Sequence, residues 1–269
     1  MPDFIVMTPI YQGIDGHTCW SIEKAHQAGL KFLWVPGTEG KGDALICRSR
    51  SIAATSFMEH GKCDYLIFLD SDIVFEPIQL KKLYEDMKSG YDIIGGMYPT
   101  RSGTDNASYF WGGIAPKTMG IQEIQFLSTG FMGITKYALQ KIVKEYRYPD
   151  GTALPLLHAG TEGHRSYPFF EARWKYNSIP DADGTTHMWL SEDWDFCEKA
   201  RQVGFKIYAD LDIQLGHQGN RIVTFDDVKE YRERLALAEK GKKDRENCNK
   251  RDNGEYTDFV EQSRAGAIS

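Results

Sequence analysis

The stretch Asp64–Asp72, DYLIFLDSD, constrains the fold more than any other part of this chain. Its apolar run from Tyr65 to Leu69 has strand length and no polar alternation, which reads as a strand buried on both faces. Such a strand belongs inside a sheet covered by helices. It exits into Asp70 and Asp72, with only Ser71 between them. In open α/β sheets that carboxyl edge is where ligands bind. In extended chain, side chains two residues apart point the same way. Two like charges held together need a counter-cation, and hard carboxylate oxygens suit Mg²⁺ or Mn²⁺. Asp at a strand exit also serves ordinary turns and helix caps, so the context must decide.

The preceding and following segments repeat the same unit. Phe4–Ile10 (FIVMTPI) is an apolar run ended by Tyr11-Gln12-Gly13, and Ser21–Leu30 has helical spacing. Lys31–Val35 (KFLWV) is a second short strand, and Ala44–His60 carries a helical stripe through Leu45, Ile46, Ile52, Ala53, Phe57 and Met58. Arg48 and Arg50 sit near the start of that helix, where the dipole disfavours cations; they suggest an anionic partner or a solvated face. After the acids, Pro77 is placed to begin a helix running to Lys88, and Tyr91–Met97 is another buried strand. This alternation predicts an α/β fold with a mostly parallel central sheet flanked by helices.

Further on the pattern loosens. Ile124–Ile134 reads as one strand bent at Gly130 or Gly133, and Tyr137–Val143 as a short helix. Residues 147–188 lack periodicity, and loops of that length are usually functional or mobile. Ser191–Val203 is helical with Ser191 as N-cap, Phe205–Leu211 and Ile213–Leu215 are two strands, Gly216–Gly219 is a turn and Asp226–Lys240 a charged helix. Residues 1–240 are expected to form a single domain and the polar stretch 241–269 an accessory or flexible tail.

Composition narrows the classes. Hydrophobic residues make up 41% and charged residues 26%, as in ordinary soluble proteins. The formal net charge of −6 weighs against generic polyanion binding. No apolar stretch approaches bilayer length. The cysteines Cys19, Cys47, Cys63, Cys197 and Cys248 are scattered without a CxxC pair, so a reduced, cytoplasmic setting is the expectation.

Two more segments carry candidate chemistry. Ser191-Glu192-Asp193-Trp194-Asp195 is an acidic cluster at a helix start, which dipole complementation alone would explain. Leu215-Gly216-His217-Gln218-Gly219 sets a histidine between glycines, where a close backbone approach is favoured.

In this order, the strand ending in TPIY, the helix CRSRSIAATSFME, the segment YLIFLDSDIVFEP, STGFMGITKYALQKI and SEDWDFCEKARQVGFKIYADLDIQLGHQG resemble the GT-A glycosyltransferases, particularly the inverting family-2-like kind. The resemblance runs from Phe4 to Gly219. It implies the Rossmann-like GT-A fold and transfer of a sugar, as in hexosyltransferases, from a nucleotide-diphosphate sugar to an acceptor hydroxyl. Asp70 and Asp72 then match the DxD that holds Mn²⁺ or Mg²⁺ against the donor diphosphate, with Ser71 beside it, and His217 the late histidine that completes the metal site. Thr8, Pro9 and Tyr11 match the loop beside the nucleobase and ribose, and Arg50 a basic position near the donor, although Ser51 replaces the Asn that commonly follows. Thr129 and Gly130 fall in the strand that approaches the acceptor. Asp193 matches the catalytic base, with Glu192 as the fallback. A UDP- or GDP-sugar is the expected donor; the acceptor stays open among glycan, small molecule, protein and modified base. His158, Glu162, His164, Arg165 and Trp174 could define an acceptor pocket, although each taken singly is better explained as an ordinary loop residue.

Two alternatives come from other classes. In a haloacid-dehalogenase-like phosphatase, Asp70 would be the covalent nucleophile and Asp72 the acid, but that motif normally opens its domain, and His217 would have no role. A non-catalytic carbohydrate-binding protein would need the acids to be unable to bind metal.

Overall fold

A computed structural model describes residues 1–37, 43–103, 109–110, 119–159, 165–176, 184, 187–219 and 221–240. The first half alternates as its apolar periodicity requires: β1 (Phe4–Thr8), α1 (Gly16–Gln27), β2 (Phe32–Pro36), α2 (Ile46–His60), β3 (Tyr65–Leu69), β4 (Ile73–Val74), α3 (Pro77–Lys88) and β5 (Ile93–Met97). There follow β6 (Tyr109–Phe110), β7 (Ile121–Ile124), β8 (Phe126–Leu127), β9 (Phe131–Thr135) and α4 (Lys136–Glu145). The remainder comprises β10 (Leu157–His158), β11 (Arg165–Ser166), β12 (Arg173–Tyr176), β13 (His187–Leu190), α5 (Glu192–Gln202), β14 (Ile207–Gln214), β15 (Gly216–Gln218) and β16 (Ile222–Val223).

Seven strands make the central sheet in the order β2-β1-β3-β9-β5-β14-β7. The pairs β1–β2, β1–β3 and β5–β14 are parallel, whereas β9 is antiparallel to both β3 and β5. Successive residues of a strand face opposite sides, and both sides are filled. Ile5, Leu66 and Phe68 pack with Phe57 of α2, Leu139 of α4 and Phe196 of α5. Phe4, Val6, Ile67 and Leu69 pack with Ile22 of α1 and Leu80 and Leu83 of α3. The central strand was expected to be buried on both faces; Leu66 to Leu69 are fully buried.

Several boundaries differ from the periodicity reading. Helix α1 starts at Gly16 because the Asp15 side chain accepts from His17 N at 2.8 Å, capping a turn whose residues carry no apolar stripe. Helix α2 begins at Ile46 because Asp43 accepts from Leu45 N at 2.9 Å and pairs with Arg48, holding the entry outside the helix. The single strand expected over Ile124–Ile134 is broken into three: Gly130 turns the chain, donating to Tyr98 Oη at 3.2 Å and accepting from Asp70 N at 2.9 Å. Gly133 is not a bend. It lies within β9, and a Cβ there would come within 2.4 Å of Met87 Sδ on α3. The two strands expected over 205–215 are one, β14, and the expected turn Gly216–Gly219 is largely strand β15, hydrogen-bonded to β4 and β16. The aperiodic 147–188 segment holds two short antiparallel ladders, β10–β11 and β12–β13, among its described residues.

Contacts divide the chain into a unit over Met1–Phe225 and a second over Asp226–Ser269. In the second, residues 226–240 are helical and largely exposed; 241–269, read as a polar tail, lie outside the described residues. The described cysteines Cys19, Cys47, Cys63 and Cys197 are free thiols, and no described helix is long and apolar enough to cross a membrane.

Candidate active site

The carboxyl ends of β1 and β3, the starts of α2 and α5, the β8–β9 turn and β15 enclose one cleft of about 410 Å³. Pro9 and Tyr11 line it from the β1 exit, Asp70, Ser71 and Asp72 from the β3 exit, and Arg50 from α2. Ser128 and Thr129 come from the β8–β9 turn, Glu192 and Asp193 from α5, and His217 from β15. Thr8 is not among the lining residues. It is buried in β1, where its hydroxyl accepts from Trp34 Nε1 at 3.0 Å. Of the acceptor-pocket candidates, His158 lines a separate cavity of about 480 Å³ behind α2, Trp174 is exposed, and Glu162 and His164 lie outside the described residues. Arg165 opens β11 and is exposed.

The two acids do not continue the strand as extended chain. Ile73 N donates to Asp70 O at 3.3 Å, closing a turn, so the extended geometry on which their common direction was expected is absent, although both still line the cleft. Asp70 Oδ1 accepts from Arg50 Nη2 at 2.7 Å, while Asp72 Oδ2 meets Arg101 and His217. Among the described residues, no three His, Cys, Asp or Glu side chains gather closely enough to hold one ion.

Arg50 is buried and reaches across the cleft floor, its Nη1 donating to Glu192 Oε1 at 2.5 Å. Burial works against its charge, but the Asp70 and Glu192 carboxylates outweigh this and keep the guanidinium protonated. Asp193 is held differently. Its Oδ1 accepts from Trp194 N at 2.8 Å and from the Ser191 hydroxyl, and no hydrogen bond among the described residues uses Oδ2. Ser191 is the N-cap of α5 by position, yet its side chain serves Asp193 instead of the helix backbone.

His217 reaches the site through strand pairing, because β15 aligns it opposite Ile73 of β4, the residue after Asp72. Its Nδ1 lies 2.8 Å from Pro99 O, and its Nε2 lies 3.3 Å from Asp72 Oδ2. Burial pulls the imidazole pKa down, but the Asp72 carboxylate prevails and raises it. Burial would raise Asp72, yet His217 and Arg101 hold its carboxyl below the usual range. Tyr98, at the exit of β5, lines the cleft; burial, reinforced by Asp70 and Asp193, pushes its phenol up and keeps it neutral. Thr129 Oγ1 and Arg50 Nε are buried without a hydrogen-bond partner among the described residues, leaving polar capacity on the cleft wall for a ligand.

Sequence reasoning did not single out Tyr98 or Arg101. Tyr98 follows directly on a buried strand, so the sheet-edge rule that found Asp70 would also have found it. Arg101 lies in the aperiodic stretch after β5, where no spacing signals a role.

Residues 48–147 match the family described as Glycosyl transferase family 2. Among solved structures, that of A197 from STIV is similar over 84% of this chain and 92% of its own, with a TM-score of 0.53 and 17% identity, a likeness of fold. A second, "a glycosyltransferase involved in the glycosylation of the major capsid of PBCV-1", covers 52% of this chain and 63% of its own, at 16% identity and a TM-score of 0.30, too partial to bear on the fold. No curated protein matches the chain. The mostly parallel sheet, flanked by helices and with its cleft at the strand exits, is consistent with the GT-A fold. The family match covers residues 48–147, and over that stretch the chain is similar to family-2 glycosyltransferases. The phosphatase and carbohydrate-binding alternatives find no support in these matches.

Proposed function

We propose that the protein transfers a hexose, with inversion, from a UDP- or GDP-sugar to an acceptor hydroxyl, using Mn²⁺ or Mg²⁺. The observation that carries this reading is the convergence on one cleft of Asp70, Asp72 and His217 with Asp193, from three parts of the fold far apart in sequence: the β3 exit, β15 and α5.

Two neighbouring side chains, Asp72 and His217, offer donors suited to a divalent ion. In the neutral imidazole, the Nδ1–H donated to Pro99 O leaves a lone pair on Nε2, beside a carboxylate oxygen. Carboxylate and imidazole together suit Mn²⁺, and carboxylates suit Mg²⁺. Asp72 and His217 would hold the ion, with Asp70 on the diphosphate side. The bound ion would supply charge neutralisation for the departing diphosphate.

The chain's own side chains divide the remaining work. Pro9 and Tyr11, at the β1 exit, would flank the nucleoside. Arg50 fixes the Asp70 carboxylate and adds positive charge at the cleft floor. Asp193 would take the acceptor proton as the hydroxyl attacks the anomeric carbon. Its Oδ2 has no hydrogen bond among the described residues and would serve here, whereas Glu192 is held by the buried Arg50 guanidinium. Glu192 is therefore assigned to positioning. Thr129, whose hydroxyl has no partner among the described residues, lines the same cleft and would be free to meet an acceptor or sugar hydroxyl.

Calorimetry against UDP-, GDP-, CDP- and TDP-sugars, with and without Mn²⁺, tests the reading. One donor should bind, and only with the ion present. Failure to bind any of them, or equal binding in EDTA, would overturn it. NMR of the product anomer checks inversion.

A further inference from the structure

The Asp72–His217 pair already has a cation, and it belongs to the chain. Arg101 donates from Nη2 to Asp72 Oδ2 and from Nε to His217 Nε2 at 3.3 Å. Those acceptors are the two atoms just assigned to the divalent ion, and they are 3.3 Å apart. One guanidinium fork therefore satisfies two adjacent lone pairs that would otherwise face each other, which is what an ion between them would do.

The three partners differ in how firmly they are held. The Asp72 and His217 side chains are 17% and 14% exposed, whereas that of Arg101 is 65% exposed. His217 is pinned by Pro99 O and by β15 pairing, and Asp72 O accepts from Gln218 N at 2.8 Å. An exposed ion pair is weak because water competes for both partners, so the member able to leave is Arg101. It also has somewhere to go: it lines the cleft and a neighbouring cavity of about 770 Å³ walled by Ser102, Gln218 and Arg221. Arg50, the other arginine on the acids, is 5% exposed and has no such freedom.

We propose that Arg101 is a built-in competitor for the metal position: its guanidinium occupies Asp72 Oδ2 and His217 Nε2 when the ion is away and must swing out before the ion binds. This rests on the metal-dependent reading above. Guanidinium and ion exclude each other at the same two atoms, so the apparent metal affinity is the intrinsic affinity reduced by the fraction of molecules with Arg101 swung out. Removing the side chain removes that handicap.

The test is Mn²⁺ binding to the full chain without donor, followed by the loss of the free-ion EPR signal, in wild type, Arg101→Ala, Arg221→Ala and Asp72→Asn. Arg101→Ala should bind Mn²⁺ about tenfold more tightly than wild type. Arg221→Ala, which deletes the same charge from the neighbouring cavity, should stay within about twofold of wild type, because long-range charge effects are screened by salt. Asp72→Asn should abolish the gain when combined with Arg101→Ala. Equal or weaker binding by Arg101→Ala, or an equal gain in Arg221→Ala, would overturn the proposal while leaving metal dependence intact. If neither wild type nor Arg101→Ala binds Mn²⁺, the metal-dependent reading falls and this inference with it.

Discussion

The first turn of α5 sends its acids to two different places. Glu192 and Asp193 line the cleft, whereas Asp195 turns inward and is fully buried. There Arg173 donates to its Oδ1 and Lys199 to its Oδ2, the latter at 2.6 Å, and Lys199 also reaches Glu171 Oε2 at 2.5 Å and Pro168 O at 2.6 Å. Burial pushes the Asp195 carboxyl up, opposed by Lys199 and Arg173. Every acceptor of that inner carboxylate is occupied, so it can only hold α5 against the β12 region. Among the described residues, Asp193 keeps Oδ2 without a hydrogen bond. Carboxylates within one helical turn thus divide into structure and chemistry by whether their coordination is saturated.

The sharpest way to break this comparison is to neutralise each acid's function separately. Asp193→Asn should lower transfer by about 10²- to 10⁴-fold, the usual worth of a general base, while donor binding and the melting midpoint stay near wild type. Single-turnover kinetics, calorimetry and thermal melts would check this. Collapse of donor affinity would move Asp193 into the donor site, and surviving transfer would hand the base role to Glu192.

On the buried side the effect should be thermodynamic. Lys199→Met leaves Asp195 with Arg173 alone in a dry interior and should cost about 3–5 kcal/mol of folding stability. Urea unfolding measures it; a loss below about 1 kcal/mol would mean that water reaches the network. A smaller loss is expected at the cleft edge. In Gly130→Ala the new Cβ would lie 2.5 Å from Tyr98 Oη, an overpacking cost of about 1–3 kcal/mol. Transfer should suffer as well, since Gly130 also receives the Asp70 N–H.

A third cluster refines the rule, because it is one cation short. Asp210 is fully buried and, with Asp86, shares the single ammonium of Lys82. Burial first, then the neighbouring Asp210, pushes the Asp86 carboxyl up to about 7. A folded-state pKa above the ordinary carboxylate value means the protonated form is stabilised. The stability from this group is fully present below about pH 4 and is lost as pH rises through about 7. Asp86→Asn should therefore gain on wild type in melting temperature between pH 5 and pH 8. Parallel pH profiles for the two proteins would show that Lys82 suffices for both acids.

Much of the fold was legible because apolar periodicity is local. FIVMT, YLIFL and IIGGM had to be sheet interior, and the helices between them followed from their stripes. The candidate residues were legible as residue types at strand exits and a helix start. Their partnerships were not. His217 lay in what reads as a turn, and only pairing between β15 and β4 brings it beside Asp72. The acids after β3 were expected to point together, but the turn closed by Ile73 N sends one to Arg50 and the other to Arg101.

The sequence by itself determined an α/β sheet with paired acids at the exit of a strand buried on both faces, because burial pattern and strand polarity are properties of neighbouring residues. Only the tertiary structure decided which acid meets which cation. Arg50 is bonded to Glu192 across 142 positions of sequence, and His217 to Pro99 across 118. Contacts over such separations leave no periodic trace in one chain, since they depend on how the sheet is ordered and not on any local preference.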